Sequence, residues 1–362
     1  MTADGDTLGV RKALPWGFLG MLALVWIGEG AVARFGGDFL PMLSCCWRDA
    51  ARAAAHEAVG SEVLCLGDSQ VKLGVLPRAV EANTGRSVYN LAVHRGVPAS
   101  SYFLLRRALD AGARPRAAVV DFSPGLLATP LRYNAPLWPH LAGPRDLIGL
   151  LAHSRDPRLA AQILAGWLLP SVEARDGIRD AVASALRGEE SPLKRSTRNY
   201  RRDWAAHRGA QPHPPRPDFT DPDSPAAAPA WRCRRENESY VRKFLSLAAE
   251  HRVAVYLLIP PFSPATQARR DRNGQEAAFD RFVEGLLRDA PGLTVVDGRG
   301  LGLEKTDFID PVHVNERGAS RLSAALAAVL TPGGTPPGWV ELRPPGGDGR
   351  PAIAVREVAR RR

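Results

Sequence analysis

Three residues carry the chemistry this sequence can be expected to do. Ser69 follows an apolar run, Val63-Leu64-Cys65-Leu66, that stops abruptly at Gly67-Asp68. Asp310 and His313 stand three apart in Asp310-Pro311-Val312-His313, near the other end of the chain. A serine becomes a nucleophile when an adjacent base takes its proton and a third group orients that base. A three-residue spacing lets one short loop present an aspartate and a histidine to one point. Asp310 can then fix the imidazole tautomer while His313 reaches the Ser69 hydroxyl.

The elements that must position these residues follow from periodicity. Residues 63–66 are continuously apolar, as befits a strand of a parallel sheet covered on both faces. Further strands are expected at 87–91, 117–122, 253–259 and 293–296. Helices are expected at 43–59, 77–84, 98–111, 237–251, 276–289 and 315–330, where apolar residues recur at helical spacing. Alternation of strand and helix at these lengths predicts right-handed crossovers and an α/β sheet. Open α/β sheets bind ligands beyond the carboxyl ends of their strands, and Ser69 stands at such an end. Between residues 131 and 231 the alternation lapses. Residues 148–168 and 178–186 read as helical, and the Pro-rich stretch 211–230 as extended loop, so this region reads as an insertion covering or flanking the site. Past residue 332 the chain is rich in Pro and Gly, with two short strands pairing at 339–342 and 352–358.

Gly67-Asp68-Ser69 at the end of the first strand, with Asp310-x-x-His313 before the last helix, resembles the SGNH/GDSL hydrolase superfamily. The resemblance spans residues 62–122 and 237–330 and leaves out the N-terminal segment, the insertion and the C-terminal tail. It implies Ser69 as nucleophile, His313 as base and Asp310 as its orienting acid. It also implies an oxyanion hole made by the Ser69 backbone N–H, a glycine after the second strand, matched by Gly96, and an asparagine after the third. The third strand departs from that pattern. It ends Asp121-Phe122-Ser123-Pro124-Gly125 with no Gly-x-Asn-Asp, and Asn134 or Asn90 would have to substitute. The expected fold is a flavodoxin-like parallel sheet of about five strands with helices on both faces, one N-terminal hydrophobic helix and a largely helical and loop insertion. The expected domains are an N-terminal segment at 1–35, an α/β domain at 36–332 with its insertion at about 130–235, and a tail at 333–362.

Composition narrows the function classes. Of 362 residues 45% are hydrophobic and 24% charged, in line with a globular core. Lys and Arg number 48 against 38 Asp and Glu, a net charge of +10. The excess is Arg spread along the chain, with a cluster at Arg360-Arg361-Arg362. No basic stripe is interleaved with aromatics, so nucleic acid is not an expected partner. Arg11 and Lys12 precede an apolar run from residue 13 to 28, a layout that exports the downstream chain and holds the basic end in the cytoplasm. The segment is an uncleaved membrane anchor or, cut at the small-x-small site Ala31-Val32-Ala33, a signal peptide; the anchor is the favoured reading. Four cysteines occur without a CxxC pair, and the histidines lack ligand spacing, so neither metal nor cofactor is expected. A bridge from Cys45 or Cys46 to Cys233 is open in an oxidising compartment. Asp68 reads as ordering its turn and Asp297 as a turn residue; His94 and Arg95 follow the second strand toward the cleft, and a structural or surface role is the favoured reading of each.

Membrane-anchored relatives of the superfamily include exopolysaccharide O-acetyltransferases similar to the alginate acetylation proteins. The resemblance thus implies an exported serine esterase or O-acyltransferase, with an acylated carbohydrate or small ester as substrate and polysaccharide-modification machinery as partner. The departure at the third strand motivates the alternative, an SGNH-fold envelope protein without strong catalysis that binds glycan or a protein partner.

Overall fold

The computed structural model describes residues 16–216, 219–220, 231–331, 337–345 and 352–356. Arg11, Lys12 and the terminal arginine cluster, on which two of the charge readings rest, lie outside these. Among the described residues the sheet has seven strands rather than five: β1 (Val63–Leu66), β2 (Val88–Asn90), β3 (Ala117–Val120), β4 (Ala254–Ile259), β5 (Leu293–Asp297), β6 (Gly338–Arg343) and β7 (Ala352–Arg356). They lie in the order β2-β1-β3-β4-β5-β6-β7. All neighbours are parallel except β6 and β7. The two late strands pair with each other, as their sequence suggests. The larger difference is that β6 also joins β5, with Val295 beside Trp339, so the sheet continues through the Pro/Gly-rich end of the chain. Trp339, Val340 and Leu342 of β6 are fully buried, and Trp339 donates its indole N–H to Asp297 at 3.3 Å.

Strand side chains alternate between faces, and two cores result. Leu64, Leu66, Val120, Leu257 and Val295 pack on one face with α2 (Met42–Ala55), α5 (Pro98–Asp110), α11 (Arg235–Glu250) and α13 (Gln275–Asp289). Val63, Cys65, Val119 and Val296 pack on the other with α3 (Ser69–Gly74), α4 (Pro77–Thr84) and α14 (Glu316–Leu330). These helices match the expected ones within a few residues, save the six-residue α3, which no apolar period announces.

The region between β3 and β4 is more helical than its sequence suggests. After α6 (Pro124–Leu127) come α7 (Pro144–Ser154), α8 (Pro157–Leu168), α9 (Pro170–Leu186) and α10 (Pro192–Ala206), while α12 (Pro264–Arg272) follows β4. The single helix expected over 148–168 is two, because Arg155 turns left-handed at φ 50° and Pro157 starts a new helix. Helix α10 is mostly polar, and its buried stripe is thin: Thr197, Tyr200 and Trp204. The region packs onto α2 through Trp138, which is buried edge-on against Trp47 with ring centroids 5.2 Å apart. All four cysteines are free thiols, so neither Cys45 nor Cys46 bridges Cys233.

Helix α1 (Trp16–Phe35) has no fully buried residue and meets the domain near its end, through Glu29 and Val32. Residues 16–38 form the one helical span among those described that is long and apolar enough to cross a membrane. Its base is tied to the domain by Arg201, which bonds Asp38 at 2.6 Å and Asp49 at 3.2 Å.

Candidate active site

The turn that carries Ser69 is built from three constraints. Strand β1 ends at Leu66, and Gly67 takes φ 126°, which a side chain rarely permits. A Cβ at Gly67 would overlap the Asp121 carboxylate, whose Oδ1 accepts the Asp68 N–H at 2.8 Å. Asp68 caps α3 by accepting the Gln70 N–H at 2.6 Å, an interaction worth about 1 kcal/mol. Ser69 is thereby the first residue of α3, at the carboxyl end of β1. Asp68 does order the turn, as its sequence position suggests.

The partner loop is equally braced. Phe308 and Val314 form an antiparallel bridge, and Ile309 N–H donates to the His313 carbonyl at 2.9 Å, closing a tight loop between them. Asn315 caps α14 by accepting the N–H groups of Arg317 and Gly318. Buried Asp307 pairs with Arg317 at 2.6 Å and Arg321 at 2.7 Å, pinning the loop's entry to α14. Gln70 then donates its side-chain N–H to the Val312 carbonyl at 3.0 Å, so α3 holds the loop directly.

These constraints bring the three expected residues into line. His313 Nε2 lies 2.7 Å from Ser69 Oγ, and His313 Nδ1 lies 2.7 Å from Asp310 Oδ2. Asp310 Oδ1 also accepts the Val312 and His313 backbone N–H groups, each at 2.9 Å. Burial works to raise the Asp310 carboxyl, but these hydrogen bonds from His313 and the backbone outweigh it and hold the group below the ordinary carboxylate range. Asp310 therefore stays ionised and fixes the ring with Nε2 toward the serine. The arrangement can take a proton from Ser69 Oγ as that oxygen attacks an electrophile. Asp310 is 39% exposed and His313 21%, so the line opens to solvent at the acid and base end.

The expected oxyanion donors are placed less uniformly. Ser69 N–H, first in α3, has no carbonyl of its own helix to reach. Gly96 packs so closely on Gly67 that a Cβ would overlap the Gly67 carbonyl, which puts it beside the nucleophile turn, yet its N–H donates to the Val93 carbonyl at 3.0 Å. Asn134 is fully buried and donates to the Arg95 carbonyl at 2.8 Å, one residue before Gly96. Its Oδ1 has no partner among the described residues. Asn90 is committed elsewhere: its amide donates to the Val71 and Val75 carbonyls at 2.9 Å and accepts from the Ala92 N–H. It locks α3 against β2 rather than facing the site.

Asp121, at the position where the resemblance calls for another loop, lies under the turn. Its Oδ2 is buried without a partner among the described residues. Burial first, and then the Asp68 charge, push its carboxyl well above the ordinary range.

A strap follows α10, its second half in the stretch expected as extended loop. The Arg208 carbonyl accepts the Asn90 N–H at 2.9 Å, Gln211 N–H donates to the Lys72 carbonyl at 2.9 Å, and the His213 carbonyl accepts the Glu316 N–H at 2.8 Å. The strap thus runs from the edge strand β2 across α3 to the start of α14. Lys72, one turn beyond Ser69, is fully buried beneath it. Its ammonium donates to the Gly209 carbonyl at 2.7 Å and sits 3.3 Å from the centre of the Trp204 ring. His94 reaches the same strap through Gln211 at 3.0 Å, and its pKa falls to about 4, chiefly through burial. His94 does face this end of the sheet, as its position after β2 suggests, but as a neutral strap contact. Arg95 adopts φ 61° and lays its guanidinium over Tyr133 at 5.0 Å.

Burial lowers the Lys72 pKa to about 8. Between about pH 8 and pH 10 the unfolded chain then holds a proton on this side chain that the folded chain has released, so stability rises with pH across that window. The gain should approach about 3 kcal/mol for a shift of this size. Lys72→Met is expected to flatten the rise, measured as the urea midpoint of each protein from about pH 7.5 to about pH 10.5. Parallel curves for the two would show that Lys72 is not the group responsible.

Among the described residues no group of His, Cys, Asp or Glu is arranged to hold a metal ion. Asp297 closes β5 and takes three bonds from Arg299, a structural role at a strand end. No protein-family model matches this chain, and no curated protein matches it at a significant level.

Proposed function

We propose that this protein is an SGNH-type serine esterase or O-acyltransferase, held at a membrane by α1 with its α/β domain outside the cytoplasm. The observation that carries the reading is the continuous line from Ser69 Oγ through His313 to Asp310, at 2.7 Å per step. The strand order 2-1-3-4-5 of the first five strands, with the serine at a carboxyl strand end, agrees with a flavodoxin-like sheet of that superfamily.

Ser69 Oγ attacks the ester carbonyl as His313 Nε2 takes its proton. The C–O bond to the leaving alcohol then breaks, and His313 returns the proton to that alcohol. A water or sugar hydroxyl next gives its proton to His313 and attacks the acyl-serine, which releases the acid or the new ester and restores Ser69. Ser69 N–H is the first candidate to stabilise the oxyanion, with Gly96 and Asn134 beside it. The exposure of Asp310 and His313 suits a substrate presented from outside, such as an acyl group on an envelope polysaccharide, and the basic net charge suits an acidic one.

Hydrolysis of a short acyl ester by the wild-type protein, lost in Ser69→Ala, is the test. Equal rates in the two would end the mechanism. One observation favours the alternative of a glycan-binding protein with weak catalysis: the Gly96 N–H is already given to Val93. That alternative predicts polysaccharide binding by a protein that hydrolyses short esters slowly or not at all.

A further inference from the structure

The α8–α9 corner carries an apolar surface that the site does not use. Leu164 is 44% exposed, Leu168 50%, Leu169 41% and Val172 55%, on two helix ends joined at Leu169. Soluble surfaces scatter such residues singly, and a contiguous group marks a contact.

The position of the corner relative to α1 identifies that contact. Helix α1 has no fully buried residue and is exposed up to Gly28, and at about 1.5 Å per residue its twenty residues span about 30 Å, the thickness of a bilayer's hydrocarbon core. Glu29 is the acidic residue of this helix and sits less than two turns from its end. Its carboxylate accepts the Ser171 backbone N–H at 2.9 Å and the Ser171 hydroxyl at 2.5 Å. A charge near the end of an apolar span needs such partners. Ser171 lies between Leu169 and Val172, so the bond fixes the corner level with the last turns of α1.

We propose that the α8–α9 corner is a second membrane contact, with Leu168, Leu169 and Val172 entering the headgroup–acyl boundary of the bilayer that α1 spans. The inference rests on the anchor reading of α1. With two points of contact, the anchor and the corner fix the tilt of the catalytic domain over the membrane.

Site-directed spin labels on the full chain in phosphatidylcholine–phosphatidylglycerol nanodiscs test this. Cys233→Ser supplies the background, because Cys45, Cys46 and Cys65 are buried and burial pushes the Cys45 and Cys65 thiols up to about 11 and about 12. Labels at Leu168→Cys, Leu169→Cys and Val172→Cys should collide more with oxygen than with a nickel chelate, as a label at Leu24→Cys should. A label at exposed Ser320→Cys on α14 should show the reverse. Water-like behaviour at the corner with lipid-like behaviour at position 24 overturns the second contact and leaves the anchor intact. Water-like behaviour at position 24 overturns the anchor itself. Protection of the corner from both reagents overturns the proposal in favour of a protein partner.

Discussion

Ser69→Ala is expected to lower kcat/KM for a short acyl ester by about 10⁴-fold or more, with the fold unchanged. The magnitude follows from the role proposed for the serine. Without Oγ no acyl-enzyme can form, and only binding and the backbone donors would remain to stabilise attack by water. His313→Ala should fall by a similar factor, because an unassisted serine hydroxyl is a poor nucleophile at neutral pH. The double variant should be little worse than either single one, since the two residues act as a unit. Circular dichroism and the melting temperature of each variant check that the loss is chemical. If the two losses instead multiply, Ser69 and His313 do not share a step.

Gly67→Ala is expected to be strongly destabilising. The new Cβ would overlap Asp121 Oδ1 and lie 3.0 Å from the Asp121 backbone nitrogen, and the residue would be forced to φ 126°. Neither neighbour can yield easily: Asp121 is fully buried at the end of a central strand and holds the Asp68 N–H. A loss of about 4 kcal/mol or more is expected, the range that strained backbone and core overlap together reach. Urea unfolding measures it. Gly60→Ala is the matched control, because a Cβ there meets nothing within 4 Å, and it should change stability by less than about 1 kcal/mol. Adding Asp121→Ala to Gly67→Ala should recover part of the loss by removing the overlap, but the backbone strain should persist. Full stability in Gly67→Ala alone would mean that the turn is not held as described.

The line of three is legible in the sequence because each member sits at a place that periodicity can find. Ser69 ends an apolar strand, and Asp310 and His313 precede a helix with a clear apolar face. The residues that make the line work are not legible in this way. Gln70, Asn90 and Lys72 all reach partners through folding alone, and an Asn or Lys near a strand end looks like surface until its neighbours are known. Lys72 is the extreme case, a cation fully buried under a strap whose own sequence is Pro-rich and featureless. Helix α10 is hidden because its polar residues outnumber its buried ones. Strand β6 is visible as a strand, but its place beside β5 is not, since its few apolar residues stand in a Gly/Pro-rich setting. The oxyanion side is legible only as a departure: Asp121 stands where a loop with asparagine is expected, and its carboxyl supports the nucleophile turn from below.

The central claim is that Ser69 is a nucleophile activated by His313, and covalent labelling tests it most directly. The full chain in detergent, treated with a fluorophosphonate, should gain one adduct, located by peptide mass spectrometry on the segment containing Ser69. His313→Ala should label at least about 10²-fold more slowly, the lower end of what general-base assistance supplies. No adduct on Ser69, or equal labelling rates in wild type and His313→Ala, would contradict the account.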